Sequence, residues 1–128
     1  MNRSELEGLA RETVDCVFKV HSALGPGLLE SAYQACLAHE LQKRGYRVAT
    51  EVLLPLRYDG LEIEKAFRVD MLVHDTVLIE NKVTQEVLPV HKSQVFTYLK
   101  LTGLQLGLLI NWNTRLIKHG ISRVVNNL

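Results

Sequence analysis

Phe67-Arg68-Val69-Asp70-Met71-Leu72-Val73-His74-Asp75-Thr76-Val77-Leu78-Ile79-Glu80-Asn81-Lys82 is two largely apolar runs joined by three turn-forming residues. This pattern predicts a hairpin with strands over 63–73 and 77–83. With Asp75 at the centre of the turn, Asp70 faces Glu80 directly. Directly opposed residues share a sheet face with Cβ atoms ~4.5–5.5 Å apart, so the two acids repel unless something positive lies between them. Lys82, two residues past Glu80, shows on the same face. A two-residue turn would stagger the acids, and they could still converge on one ion.

Two carboxylates and a lysine on one side of a hairpin suit a hard divalent cation. Such an ion acidifies a bound water, and the lysine can orient that water or stabilise charge on a phosphate. The plain alternative is a surface ion-pair ladder of Asp70, Lys82 and Glu80 with no metal. Against it, the Glu80 strand is otherwise apolar on both faces at Val77, Leu78 and Ile79. Acids and lysines are almost never fully buried unless paired.

Outward from the hairpin, residues 4–24 carry apolar positions at helical spacing, with Ser4 and Glu7 reading as a capping box. Leu24-Gly25-Pro26-Gly27 breaks this helix, and a second runs from about Leu28 to Arg44, ahead of Gly45. Residues 46–56 alternate as a strand, followed by the turn Tyr58-Asp59-Gly60. Beyond the hairpin, Pro89 to Thr102 is helical and Gly103 ends it. Leu104 to Asn111 suits a buried strand, and Gly120 to Val125 a short final one. The order predicts a single α/β domain over 1–128: an N-terminal helix over 1–24, then a core over 25–128 with a mixed central sheet flanked by helices.

The 128 residues hold 15 Lys+Arg against 14 Asp+Glu, for a net charge of +1, and are 47% hydrophobic. That balance excludes a disordered chain and a polycation that coats nucleic acid. The longest apolar runs fall far short of the ~20 residues of a membrane span. The polar start, Met-Asn-Arg-Ser-Glu, has no apolar leader segment, so the expected location is cytoplasmic. Cys16 and Cys36 are expected to be buried free thiols. All the acids fall in residues 1–86, whereas 87–128 hold Lys92, Lys100, Arg115, Lys118 and Arg123. This asymmetry can build an anion-facing surface on a neutral protein.

A further acid, Glu30, opens the second helix, where it suits the macrodipole, and Tyr33 lies one turn later on the same side. Gly27-x-x-Glu30-x-x-Tyr33 resembles the motif that names the GxxExxY proteins, grouped with the PD-(D/E)XK nuclease superfamily. The resemblance runs from about His21 to Val125 through five blocks in order: Leu24 to Tyr33, Phe67 to Val73, Ile79 to Lys82, Val90 to Gly103, and Leu108 to Asn111. It implies a restriction-endonuclease-like αβββαβ core. It implies that Asp70 and Glu80, with the backbone carbonyl of Asn81, bind Mg²⁺ or Mn²⁺. Lys82 then assists the attacking water, and Glu30 completes the metal site directly or through water. Gln94 is implied as a site residue, and His91 and Tyr98 can share its helix face. Tyr33, Lys92 and Lys100 complete the expected substrate contacts. Asn81 departs from the family, which usually has an apolar residue there. On the packing side of the sheet it needs hydrogen-bond partners or costs about 1–3 kcal/mol.

The leading expectation is therefore a Mg²⁺- or Mn²⁺-dependent nuclease acting on DNA or RNA, possible as a homodimer because cutting both strands suits two-fold symmetry. The alternative is a non-catalytic nucleic-acid-binding or protein-interaction module that keeps the fold. A carboxylate-pair glycoside hydrolase fits less well: the chain lacks an aromatic platform for sugars, and Trp112 is its only tryptophan.

Overall fold

The computed structural model describes Met1–Leu128. Two helices lead, α1 (Arg3–Leu24) and α2 (Glu30–Lys43), followed by strands β1 (Val48–Tyr58), β2 (Leu61–Val73) and β3 (Val77–Lys82). Helix α3 (Pro89–Thr102) crosses to β4 (Leu106–Asn111), and a 3₁₀ turn at Ile117–His119 leads into β5 (Ile121–Val125). The five strands lie side by side in chain order. β3 and β4 are parallel, joined by the α3 crossover, and every other neighbouring pair is antiparallel. The expected mixed sheet with flanking helices is observed.

The hairpin has the predicted register. Met71 pairs with Ile79, Leu72 with Leu78 and Val73 with Val77, across the three-residue turn His74-Asp75-Thr76. At the preceding turn Asp59 and Gly60 both have positive φ, 48° and 81°, as a tight β1–β2 hairpin requires.

Helices α1 and α2 cover one face of the sheet. Leu9, Val17, Leu37 and Leu41 pack there against Met71, Ile79, Leu108, Ile110 and Trp112. Helix α3 covers the other face, with Val95 and Leu99 on Val69, Leu78 and Leu109. Gly107 lets α3 approach closely: a Cβ there would lie 2.7 Å from Val95 Cγ1. No helix is long and apolar enough to cross a membrane.

Three local expectations are corrected. Helix α1 is capped by Asn2, not Ser4: Asn2 Oδ1 accepts from Glu5 N at 2.8 Å and Glu5 Oε1 accepts from Asn2 N at 3.2 Å. Asparagine caps as well as serine, and starting earlier adds helix. Helix α2 begins at Glu30 rather than Leu28, because Leu28 N donates to the Tyr33 hydroxyl and is held outside the helix. Both cysteines are free, yet only Cys16 is buried; Cys36 is partly exposed.

Candidate functional site

Main-chain pairing fails on both sides of Asp70. In β1 the pairing runs from Val48 to Thr50 and resumes at Val52, skipping Glu51 opposite Asp70. Glu51 has φ 53°, a left-handed backbone that is rare and costly for a non-glycine residue inside a strand. On the other side the β2–β3 ladder ends at Met71 and Ile79. The alternation of β2 changes phase at the same point. Met71 and Val73 pack under α1 and α2, whereas Val69 and Phe67 pack under α3. Asp70 stands at this crease.

Carboxylates replace the missing ladder bonds. Asp70 N donates to Glu80 Oε1 at 3.1 Å, and Asn81 N donates to Asp70 Oδ2 at 2.8 Å. Each acid is only 4% exposed. Burial, and then the charge of Asp70, push the Glu80 carboxyl up to about 8, while Lys82 pulls it down. The nearest cation to Asp70 is Arg68, whose Nη2 lies 3.9 Å from Asp70 Oδ1. Lys82 makes no ion pair but acts through its charge on both Glu80 and Glu30.

Glu30 opens α2 at an exposed position. Its carboxyl is raised by burial and next by Asp70, and lowered by Lys82 and Arg68, so it belongs to the same electrostatic cluster. It does not join Asp70 and Glu80 in a ready-made metal cage, since no three His, Cys, Asp or Glu side chains are gathered closely enough. The donor set is two carboxylates, which is what magnesium commonly takes while keeping several waters. All-oxygen donors in a buried pair fit a hard cation.

From α3, Gln94 Nε2 donates to the Tyr98 hydroxyl at 3.1 Å, and Tyr98 stacks on Phe67 with centroids 5.0 Å apart. The Tyr98 hydroxyl is raised by burial and then by the charge of Glu80. His91 folds back on its own helix: its Nδ1 accepts from Leu88 N at 3.0 Å and closes the start of α3. Lys92 and Lys100 are exposed, and Lys100 Nζ sits 5.6 Å from the centroid of Phe96. At 100° per residue they lie across the helix from Gln94 and Tyr98.

Tyr33 corrects the reading of the motif. It is fully buried, so it is no substrate contact. Its hydroxyl donates to Gly25 O at 2.6 Å and accepts from Leu28 N, tying down the loop ahead of Glu30. Its ring stacks on Trp112 with centroids 4.8 Å apart. Tyr33→Phe keeps that stack and removes both hydrogen bonds. An unfolding free energy lowered by about 1–2 kcal/mol, seen as a lower urea midpoint at unchanged m-value, is expected.

Asn81 has the partners its position requires. Its side chain is fully buried, donates to Gln34 Oε1 at 3.2 Å and accepts from Trp112 Nε1 at 2.9 Å. Gln34 in turn donates to Glu51 Oε1 at 3.1 Å, and Glu51 Oε2 holds Arg68 Nε at 2.9 Å. A polar chain thus runs from Trp112 through Asn81, Gln34, Glu51 and Arg68 to Asp70. Of this chain, sequence reasoning names Asp70 and Asn81 as site residues and passes over Gln34, Glu51 and Arg68. Arg68 was open to discovery, two residues before Asp70 on the same strand; Gln34 and Glu51 carried no local signal.

The model of the PD-(D/E)XK nuclease superfamily matches residues 7–124. The match identifies the superfamily and not the GxxExxY group within it. The crystal structure of SSO0001 is similar in fold over 98% of this chain, with a TM-score of 0.58 and 22% identity. This chain spans 62% of the length of that one. No curated protein matches.

Proposed function

The chain belongs to the PD-(D/E)XK nuclease superfamily, and we propose that it is a divalent-cation-dependent nuclease that hydrolyses phosphodiester bonds of DNA or RNA. The observation that carries this reading is the buried Asp70–Glu80 pair, whose carboxylates take up backbone N–H groups where their own sheet ladder is interrupted. A structural ion-pair ladder would bring Lys82 into contact with the acids, and it makes no such contact.

Asp70, Glu80 and the backbone carbonyl of Asn81 would hold Mg²⁺ or Mn²⁺, with Glu30 joining directly or through water. The ion would supply acidified water and charge stabilisation on the phosphate. The chain supplies the rest. Lys82 orients the water and offsets charge that develops on the phosphate. Arg68, half exposed beside Asp70, offers a planar fork to a neighbouring phosphate. Tyr98 and Gln94 present a hydroxyl and an amide to the strand from the other side.

Calorimetric titration of Mn²⁺ tests the reading. One site is expected in the wild type and none in Glu80→Ala. A wild type that takes up no metal at about millimolar concentration, with or without a short duplex, overturns it and leaves a non-catalytic binding module.

A further inference from the structure

The Trp112 ring that donates to Asn81 also stacks on His21, with centroids 6.4 Å apart. His21 lies in the last turn of α1 and is only 5% exposed, and its Nε2 is buried with no hydrogen-bond partner. Beside it is a cavity of about 350 Å³, between the end of α1 and residues 115–118, which run into the 3₁₀ turn. Phe18, His21 and Ser22 line one side, and Arg115 and Lys118 the other. No acidic side chain lines it. Neither cation makes an ion pair within the chain, whereas Arg123, the third basic residue of this region, is held by Glu7.

We propose that this cavity is a phosphate-binding subsite that takes the phosphate of a nucleotide, with its base against Phe18. An arginine fork, a lysine and a serine hydroxyl lining one cavity suit a phosphate in charge and in hydrogen-bond donors. Phe18 is 42% exposed at the rim, where a base can stack on it. The two cations are unspent inside the molecule, and the buried imidazole beside them lacks a partner. The inference does not depend on the acid pair being catalytic, because Arg115 and Lys118 stand apart from it.

Trp112 is the only tryptophan, and it is buried against His21, so its fluorescence reports on the cavity. The probes are inorganic phosphate, a nucleoside 5′-monophosphate and a short single strand with a 5′-phosphate. They are titrated without divalent metal at constant ionic strength, with calorimetry read in parallel. Saturable binding is expected for each. The exposed double variant Arg115→Gln/Lys118→Gln should weaken all three by about tenfold or more. Phe18→Ser should weaken the nucleotide and the strand but not inorganic phosphate. A strand that binds more tightly than the mononucleotide assigns the subsite to nucleic-acid phosphates; equal binding assigns it to free nucleotides. The proposal is overturned if neither signal saturates by about 10 mM ligand. It is equally overturned if acetate matches phosphate or the double variant binds like wild type. Since no metal is added, these outcomes stay separate from any failure of the nuclease reading.

Discussion

Glu80→Gln is expected to make the metal-free protein more stable at pH 8, by about 1–3 kcal/mol, and to remove its stabilisation by Mg²⁺. The folded chain holds the Glu80 carboxyl at about 8, raised from 4.5 by burial and then by Asp70. Between those values the folded protein keeps a proton that the unfolded chain has released. The stabilisation linked to this group is therefore complete below about pH 4.5 and is lost as pH rises through about 8. Glutamine mimics the protonated form, and its oxygen can still accept from Asp70 N. Melting curves of both proteins from pH 5 to 9 check this. The wild type should lose stability with rising pH relative to the variant. Added Mg²⁺ should restore it at pH 8, since a ligand at about a hundred times its Kd contributes ~2.7 kcal/mol. A variant that is less stable at every pH, with a wild type indifferent to metal, would mean that Glu80 holds the sheet together and binds no ion.

The hairpin and its register were legible because they follow from local rules. A three-residue turn fixes the pairing, and period-two alternation fixes the faces. Helix α3 was equally legible from Pro89 and Gly103, which punctuate it at both ends. The crease at Asp70 was not legible. It depends on Glu51 adopting φ 53° in another strand, stabilised by Gln34 from α2 and Arg68 from β2. No periodicity encodes a backbone reversal in a valine- and leucine-rich strand. Tyr33 shows the converse limit. The motif put it beside Glu30 correctly, but only the packing of Trp112 from the far end of the chain shows that the ring is core. The charge asymmetry of the C-terminal third allows one anion-facing surface, but its basic residues are dispersed: Arg123 on Glu7, Lys100 over Phe96, and Arg115 with Lys118 at a separate cavity.

Lys82→Met is expected to lower cleavage of the best DNA or RNA substrate by at least about a hundredfold, while metal binding persists or tightens. The two effects have opposite signs for one reason. The ammonium makes no contact ion pair, yet its charge acts on both Glu80 and Glu30. In the free protein it is a cation placed near the seat of another cation, so removing it favours the metal. In the proposed reaction it would offset the negative charge that builds on the phosphate and help hold the attacking water, so removing it would cost rate. Lys82→Arg should not restore full activity, because a planar fork on a longer stem cannot occupy the point position of an ammonium. Asp70→Asn serves as the contrast: it should lose metal and cleavage together. Cleavage rates and Mn²⁺ titrations on the three variants decide the matter. If Lys82→Met loses the metal as Asp70→Asn does, the lysine is part of the scaffold of the pair. If it cleaves at the wild-type rate, the hydrolytic role assigned to Lys82 is wrong, even where the metal site stands.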